Sequence, residues 1–215
     1  MRIPLLLLVA LLAQAFQTSF PVDPRTLATE GEGPYFVLKP GFQATFESAG
    51  GKLVVTVLHE TKVIGGIDTR VVEEREWKKG NLVEVSRNYF AIDPTTKDVY
   101  YFGEDVDAYA RGKVANHDGS WQHGGKGATF GLMMRGAPAV GMKYYQEQAK
   151  GVALDRAEIV SVSETLTTPA GMFEHCVKTR ETTPLEPLSR EYKFYAPGVG
   201  LVQDGDMKLV STSGR

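Results

Sequence analysis

From Tyr35 onward the chain is cut into short runs rich in Val, Tyr, Phe and Thr, separated by Gly, Asn, Asp or Pro. No apolar stripe of period 3.6 lasts three clean turns, so helices are not the main building material. β-Branched and aromatic residues at period two fit a pleated, half-buried surface. In "NLVEVSRNYFAI", Val83, Val85 and Tyr89 share one face, and Glu84, Ser86 and Asn88 share the other. In "GKLVVTVLHETKVI", Leu53, Val55, Val57 and Val63 fall together, with His59 and Thr61. Gly65-Gly66 is a hairpin signal, because both residues can take positive φ, and Gly80-Asn81 marks the next turn. "YFVLKPGFQATFES" reads as a strand broken at Pro40-Gly41, and "GMKYYQEQAK" as a strand between glycines. Strands at regular spacing with tight turns predict an all-β domain over 35–215: one antiparallel meander forming a curved sheet, half-barrel or barrel. Several strands carry charge or amide at alternate positions. One sheet face is therefore wet, or lines a polar cavity.

The N-terminus reads differently. "MRIPLLLLVALLAQA" has one Arg, an apolar run from Ile3 to Leu12, and Ala13-Gln14-Ala15 as a small-x-small site. This is the pattern of a secretory signal peptide over residues 1–15, with an apolar run too short to span a bilayer. The expectation is a secreted or periplasmic protein cleaved near Ala15, without a transmembrane segment. Residues 16–34 are an irregular lead-in. Cleavage removes Arg2 and no acid, taking 24 bases and 26 acids to a net charge of −3. That balance implies neither nucleic acid nor a polybasic membrane patch. Cys176, the one cysteine, can form no internal disulfide, so the core alone must hold the fold. In a strand, with no basic group obviously placed to ionise it, it reads as a buried inert thiol.

From Gly119 to Gly141 the rhythm breaks. Seven of these 23 residues are glycine, and the stretch also carries Trp121, Phe130, Met133 and Met134. A solvated linker has no need of such side chains; an apolar-tipped flap over the sheet does. Trp121, Phe130 and Met133 of this long Gly-rich loop, with Tyr100, Tyr101, Tyr144 and Tyr145, are the candidate ligand-binding surface.

"YYFGEDVDAYARG" sets aromatics against Glu104, Asp105 and Asp107. Close-spaced carboxylates suit a divalent cation such as calcium; acids at a hairpin tip need no metal at all. Without a metal, no cofactor is expected. His117 and His123, six apart beside Asp118, lack the spacing of a zinc motif. Glu73 and Arg75 share one strand face, Glu74 and Glu76 the other, which reads as cross-strand ion pairing. Gly-x-Ser-x-Gly and phosphate-loop patterns are both missing.

At "YAPGVGLV" (Tyr195–Val202), with "PAGMFEHCVKTRETTPLEP" before it and "DVYYFGEDVDAY" earlier, the chain resembles a group of bacterial exported β-rich proteins of unassigned function. These pair a P-x-G-x-F-x-x-C turn and strand with a closing Y-A-P-G-V-G hairpin. The likeness covers most of residues 35–205 and implies no activity. The hairpin is also similar to those of periplasmic proteins with curved sheets, such as the lipoprotein-carrier half-barrel. The resulting expectation is a non-catalytic binder of a small hydrophobic, glycan or peptide ligand, or of an envelope component, on a concave sheet face. Two alternatives stand beside it. One is a metal-assisted hydrolase or lyase joining Glu104, Asp105 and Asp107 to His117 or His123; the other is a purely structural envelope protein.

Overall fold

The computed structural model describes residues 15–214. The expected signal peptide, but for Ala15, lies outside the described residues. The strands are β1 (Gly31–Glu32), β2 (Val37–Leu38), β3 (Gln43–Glu47), β4 (Gly51–Ile64), β5 (Ile67–Lys78), β6 (Asn81–Ile92), β7 (Val99–Ala110) and β8 (Lys113–Asn116). They continue as β9 (Trp121–Gln122), β10 (Gly131–Met134), β11 (Lys143–Tyr145), β12 (Arg156–Thr168), β13 (Gly171–Thr183), β14 (Glu186–Ala196), β15 (Gly200–Asp204) and β16 (Met207–Ser213). Among the described residues the one helical turn is 3-10, Pro24–Thr26, and no helix is long and apolar enough to cross a membrane.

Fourteen strands form one antiparallel sheet in the order β10-β7-β6-β5-β4-β3-β16-β15-β14-β13-β12-β11, with β8 and β9 added to β7. Two meanders, β3 to β7 and β11 to β16, are thus joined in the middle, where Phe46 pairs with Leu209. The sheet is not closed into a barrel, since no ladder joins β10 to β11. Its two ends nevertheless meet just outside β10 and β11, where Thr129 N–H donates to Gln148 O at 3.1 Å, and the lead-in lies along β11, where Gln17 N–H donates to Lys143 O at 2.9 Å. Register shifts interrupt most of the long pairings, and each increases local twist and curls the sheet.

The turns follow their chemistry. Gly65 and Gly66, at φ +57° and +85°, close the β4–β5 hairpin. The next two-residue turn is Lys79-Gly80, one residue earlier than Gly80-Asn81, and Lys79 accepts φ +50° there. The lead-in is used rather than loose: Ala28 bridges Ile92, and Phe20 is buried against Tyr100.

Two apolar clusters flank β6 and β7. Phe90, Ile92, Val99 and Tyr101 enter one, with Phe42, Phe46, Val57 and Trp121. Their neighbours Tyr89, Ala91, Tyr100 and Phe102 enter the other, with Phe20, Ile64, Leu132 and Tyr144. Val63 does not join the face expected of it and is 63% exposed. Past the irregularity between Val57 and Thr61, it is Ile64, one residue on, that is buried. Arg70, itself buried, holds that irregularity by donating to the carbonyls of Leu58, His59 and Glu60. Cys176 is fully buried, and burial pushes its thiol up, as an inert thiol requires.

Candidate functional site

The polar alternation lines a hollow. Paired residues share a face, so the register sets out two polar rows across the first meander: Glu74 beside Ser86, and Glu76 beside Glu84. Across the second meander, Thr179, Lys193 and Asp204 form one row, and Glu181 pairs with Glu191. Glu74, Glu76, Glu84, Glu191, Asp204 and Asp206 line a single open cavity of about 520 Å³, with Lys78 and Lys79 at its edge. Glu74 and Asp204 also line an inner hollow of about 90 Å³ whose other walls are mostly apolar: Phe36, Phe42, Phe46, Val72, Phe90, Met133 and Leu201 among them. An acidic mouth therefore adjoins an apolar end at Glu74 and Asp204.

Lys193 holds the far wall together. Its Nζ lies 3.2 Å from Glu181 Oε2 and 3.3 Å from Asp204 Oδ2. Gln146 and Thr179 both donate to Glu181 Oε1, at 3.1 and 3.3 Å. Burial pulls the ammonium's pKa down, but Glu181 and Asp204 more than offset it, so Lys193 stays charged. On the near wall Lys78 pairs with Glu76 at 3.1 Å. Glu74 is pushed up to about 7, first by burial, then by Asp204, Glu84 and Glu76, with Lys193 opposing. Further in, Glu104 is pushed up to about 8 by burial and by Glu74, and burial with Glu104 pushes Glu147 up as well.

These shifts make stability depend on pH. A carboxyl raised in the folded state binds more protons than the unfolded chain between about pH 4.5 and 8. Its contribution is fully present below the unfolded pKa and is lost as pH rises through the folded one. The melting temperature should therefore fall between pH 5 and pH 8. Glu74→Gln should flatten that fall by about 1–2 kcal/mol, less than the full shift implies because solvent reaches the group. Parallel melting curves for the two proteins across that range would refute the assignment.

The sequence candidates are divided among these surroundings. Met133 lines the inner hollow. Tyr101 lies behind it, stacked on Phe90 at 4.6 Å, with its hydroxyl donating to Asn88 Oδ1 at 2.5 Å. Trp121 is 6% exposed and packs edge-on against Tyr101 at 5.4 Å. It plugs the sheet rather than facing the hollow, and lines a separate cavity of about 320 Å³ with Gln122, Lys126 and Lys150. Tyr100, Phe130 and Tyr144 belong to the other cluster, where Tyr100 meets Phe130 at 5.8 Å and Phe20 at 5.9 Å. The Gly-rich loop is pinned to β7 through β9 and β10 and by His123 N–H donating to Phe102 O at 2.8 Å.

Glu104, Asp105 and Asp107 do not stand at a hairpin tip. They sit within β7, and its alternation puts Glu104 on one face and the two aspartates on the other. Asp105 accepts from Lys62 Nζ at 2.7 Å, Tyr89 Oη at 2.6 Å and Gln122 Nε2 at 2.7 Å. Burial would raise its pKa, but those three donors lower it overall. Asp107 pairs with His117 at 2.9 Å and Arg87 at 3.6 Å. His123 packs instead against Phe102 and Phe130, and burial lowers its pKa. Among the described residues, no three of His, Cys, Asp and Glu converge as a metal site.

Sequence reasoning passed over Glu84, Lys193 and Asp204 as site residues and read Glu74, Glu76 and Glu191 as cross-strand ion pairs on a wet sheet face. The available signal was a polar residue repeated at alternate positions: Glu74 and Glu76 in "EEREW", and Glu84, Ser86 and Asn88 in "VEVSRN". The chain matches no family model, no curated protein and no solved structure.

Proposed function

We propose that this chain is an exported, non-catalytic binding protein that takes a small ligand with an apolar portion into the hollow of its curved sheet. The observation that carries this reading is the adjacency of the acidic cavity and the apolar one, which share Glu74 and Asp204 in their linings. Concave, largely apolar hollows with a few placed polar groups are the usual form of small-molecule sites. Lys193 is tied to two carboxylates of its own wall, which suits holding a shape better than transferring protons. Export rests on residues 1–15, and N-terminal sequencing of protein taken from its host reads it. A start near Phe16 is expected; an intact Met1 overturns it.

Ala44 offers the direct test of binding, because it lines the apolar end and is 5% exposed. Ala44→Leu should fill that end, keep or slightly raise the melting temperature, and abolish the thermal shift given by short-chain alcohols and amines. A ligand bound only by the folded state must raise that temperature. No shift with any of these compounds, or an unchanged shift in Ala44→Leu, would remove the proposal.

A further inference from the structure

Accepting the hollow as the binding site, we propose that its ligand class is a small amphipathic cation: a primary ammonium on a short apolar tail. Three features select it, each of a different kind. The first is charge: six carboxylates line the mouth against Lys78 and Lys79, and Lys193, the cation lining the inner end, is already tied to Glu181 and Asp204. A cation is drawn to such a surface and an anion repelled. The second is a pair of unpartnered polar atoms next to the mouth. Tyr195 is 1% exposed, lines the apolar end, and its hydroxyl has no protein partner. Asp204 lines both compartments; its Oδ2 meets Lys193, while its buried Oδ1 has no partner. A hydroxyl and a carboxylate oxygen can both accept from N–H, and a primary ammonium brings three donors. A quaternary ammonium would leave both acceptors unmet.

The third feature is size. The apolar end holds about 90 Å³. A cavity of ~150 Å³ is what takes in benzene, so the tail is a short alkyl chain rather than a fatty acyl chain. The carboxyl of Glu74 fits the same occupant. It faces Glu76 and Glu84 on its own side and Asp204 and Lys193 across the hollow, and near neutral pH it keeps part of its proton. An ammonium placed there favours the ionised form, so binding should expel that proton.

The test is isothermal titration at pH 7 with propylammonium, 1-propanol and butanoate, which share a propyl tail. Propylammonium should bind about tenfold tighter than 1-propanol, the equivalent of ~1.4 kcal/mol for one charge-assisted contact. Butanoate should not bind measurably. Repeating the propylammonium titration in buffers of different ionisation heat should show proton release. Glu74→Gln should lose that release and most of the preference, read as the ratio of propylammonium to 1-propanol affinity. Glu84→Gln is the second variant, expected to lose part of the preference.

Equal binding of propylammonium and 1-propanol would overturn the ligand class and leave the hollow as the site. Failure of all three compounds would overturn the reading of the hollow itself. Retained preference in both variants would overturn the role of the mouth. Calcium chloride that raises the melting temperature and blocks propylammonium would replace the organic cation with a metal.

Discussion

Lys193→Met should cost the protein about 3–5 kcal/mol, the range expected when one partner of a buried charge pair is removed and the other is left behind. Two carboxylates are left behind here: Glu181, whose side chain is 10% exposed, and Asp204 at 22%. Methionine fills similar volume, so the loss is electrostatic rather than a cavity. With a ~2–4 °C change per kcal/mol for a chain of this size, the melting temperature should drop by roughly 10 °C at pH 7. Acid should narrow the gap, because protonated carboxyls no longer repel one another. Adding Glu181→Gln to Lys193→Met should recover part of the loss, as coupled neighbours do. A single mutant within 1 °C of the parent at pH 7 would show that Lys193 is not the clamp of that wall.

Gly103→Ala should be comparably damaging for a steric reason. Gly103 has φ +133°, and a Cβ there would lie 2.3 Å from Trp121 O and 2.7 Å from Gln122 Cα. Both are backbone atoms of β9, so no rotamer change relieves the collision. Either β9 leaves β7 or β7 distorts, and strain with overpacking should cost about 3–5 kcal/mol. Displacing β9 also uncovers Trp121, so its fluorescence should shift to the red. Gly112→Ala is the control: its φ is also positive, at +74°, but nothing lies within 4 Å. It should cost only about 1 kcal/mol, the price of the backbone conformation. Equal effects at the two positions would mean that the crossing of β9 over Gly103 is not tight.

Period-two alternation was enough to read the class of the fold, because a strand's faces are set by its own residues. The division of Glu73 and Arg75 from Glu74 and Glu76 follows from parity alone, and Arg75 does bond Glu73 at 2.7 Å. What parity cannot say is which face becomes the inside. On β6 both faces are largely buried, so Ser86 and Asn88 looked like a solvent face while standing among interior residues. Asp105 was illegible for a related reason, since its three partners come from three separate parts of the chain. The hollow was beyond reach because Glu74 and Asp204 meet only once β3 and β16 have paired. Trp121 and Met133 were both picked from the Gly-rich segment as ligand-binding groups, but no local pattern separates Met133, which lines the hollow, from Trp121, which packs on Tyr101 and lines another cavity.

The join between the two meanders has a further consequence for how the molecule is made. β16 is flanked by β15 on one side and β3 on the other. While the chain is being made, the edge of β3 therefore waits for a partner strand far along the sequence. An unpaired edge held open in this way invites other chains to add to it. Deleting Met207–Ser213 would leave β3 and β15 as two open edges at mid-sheet, and aggregation is the expected result.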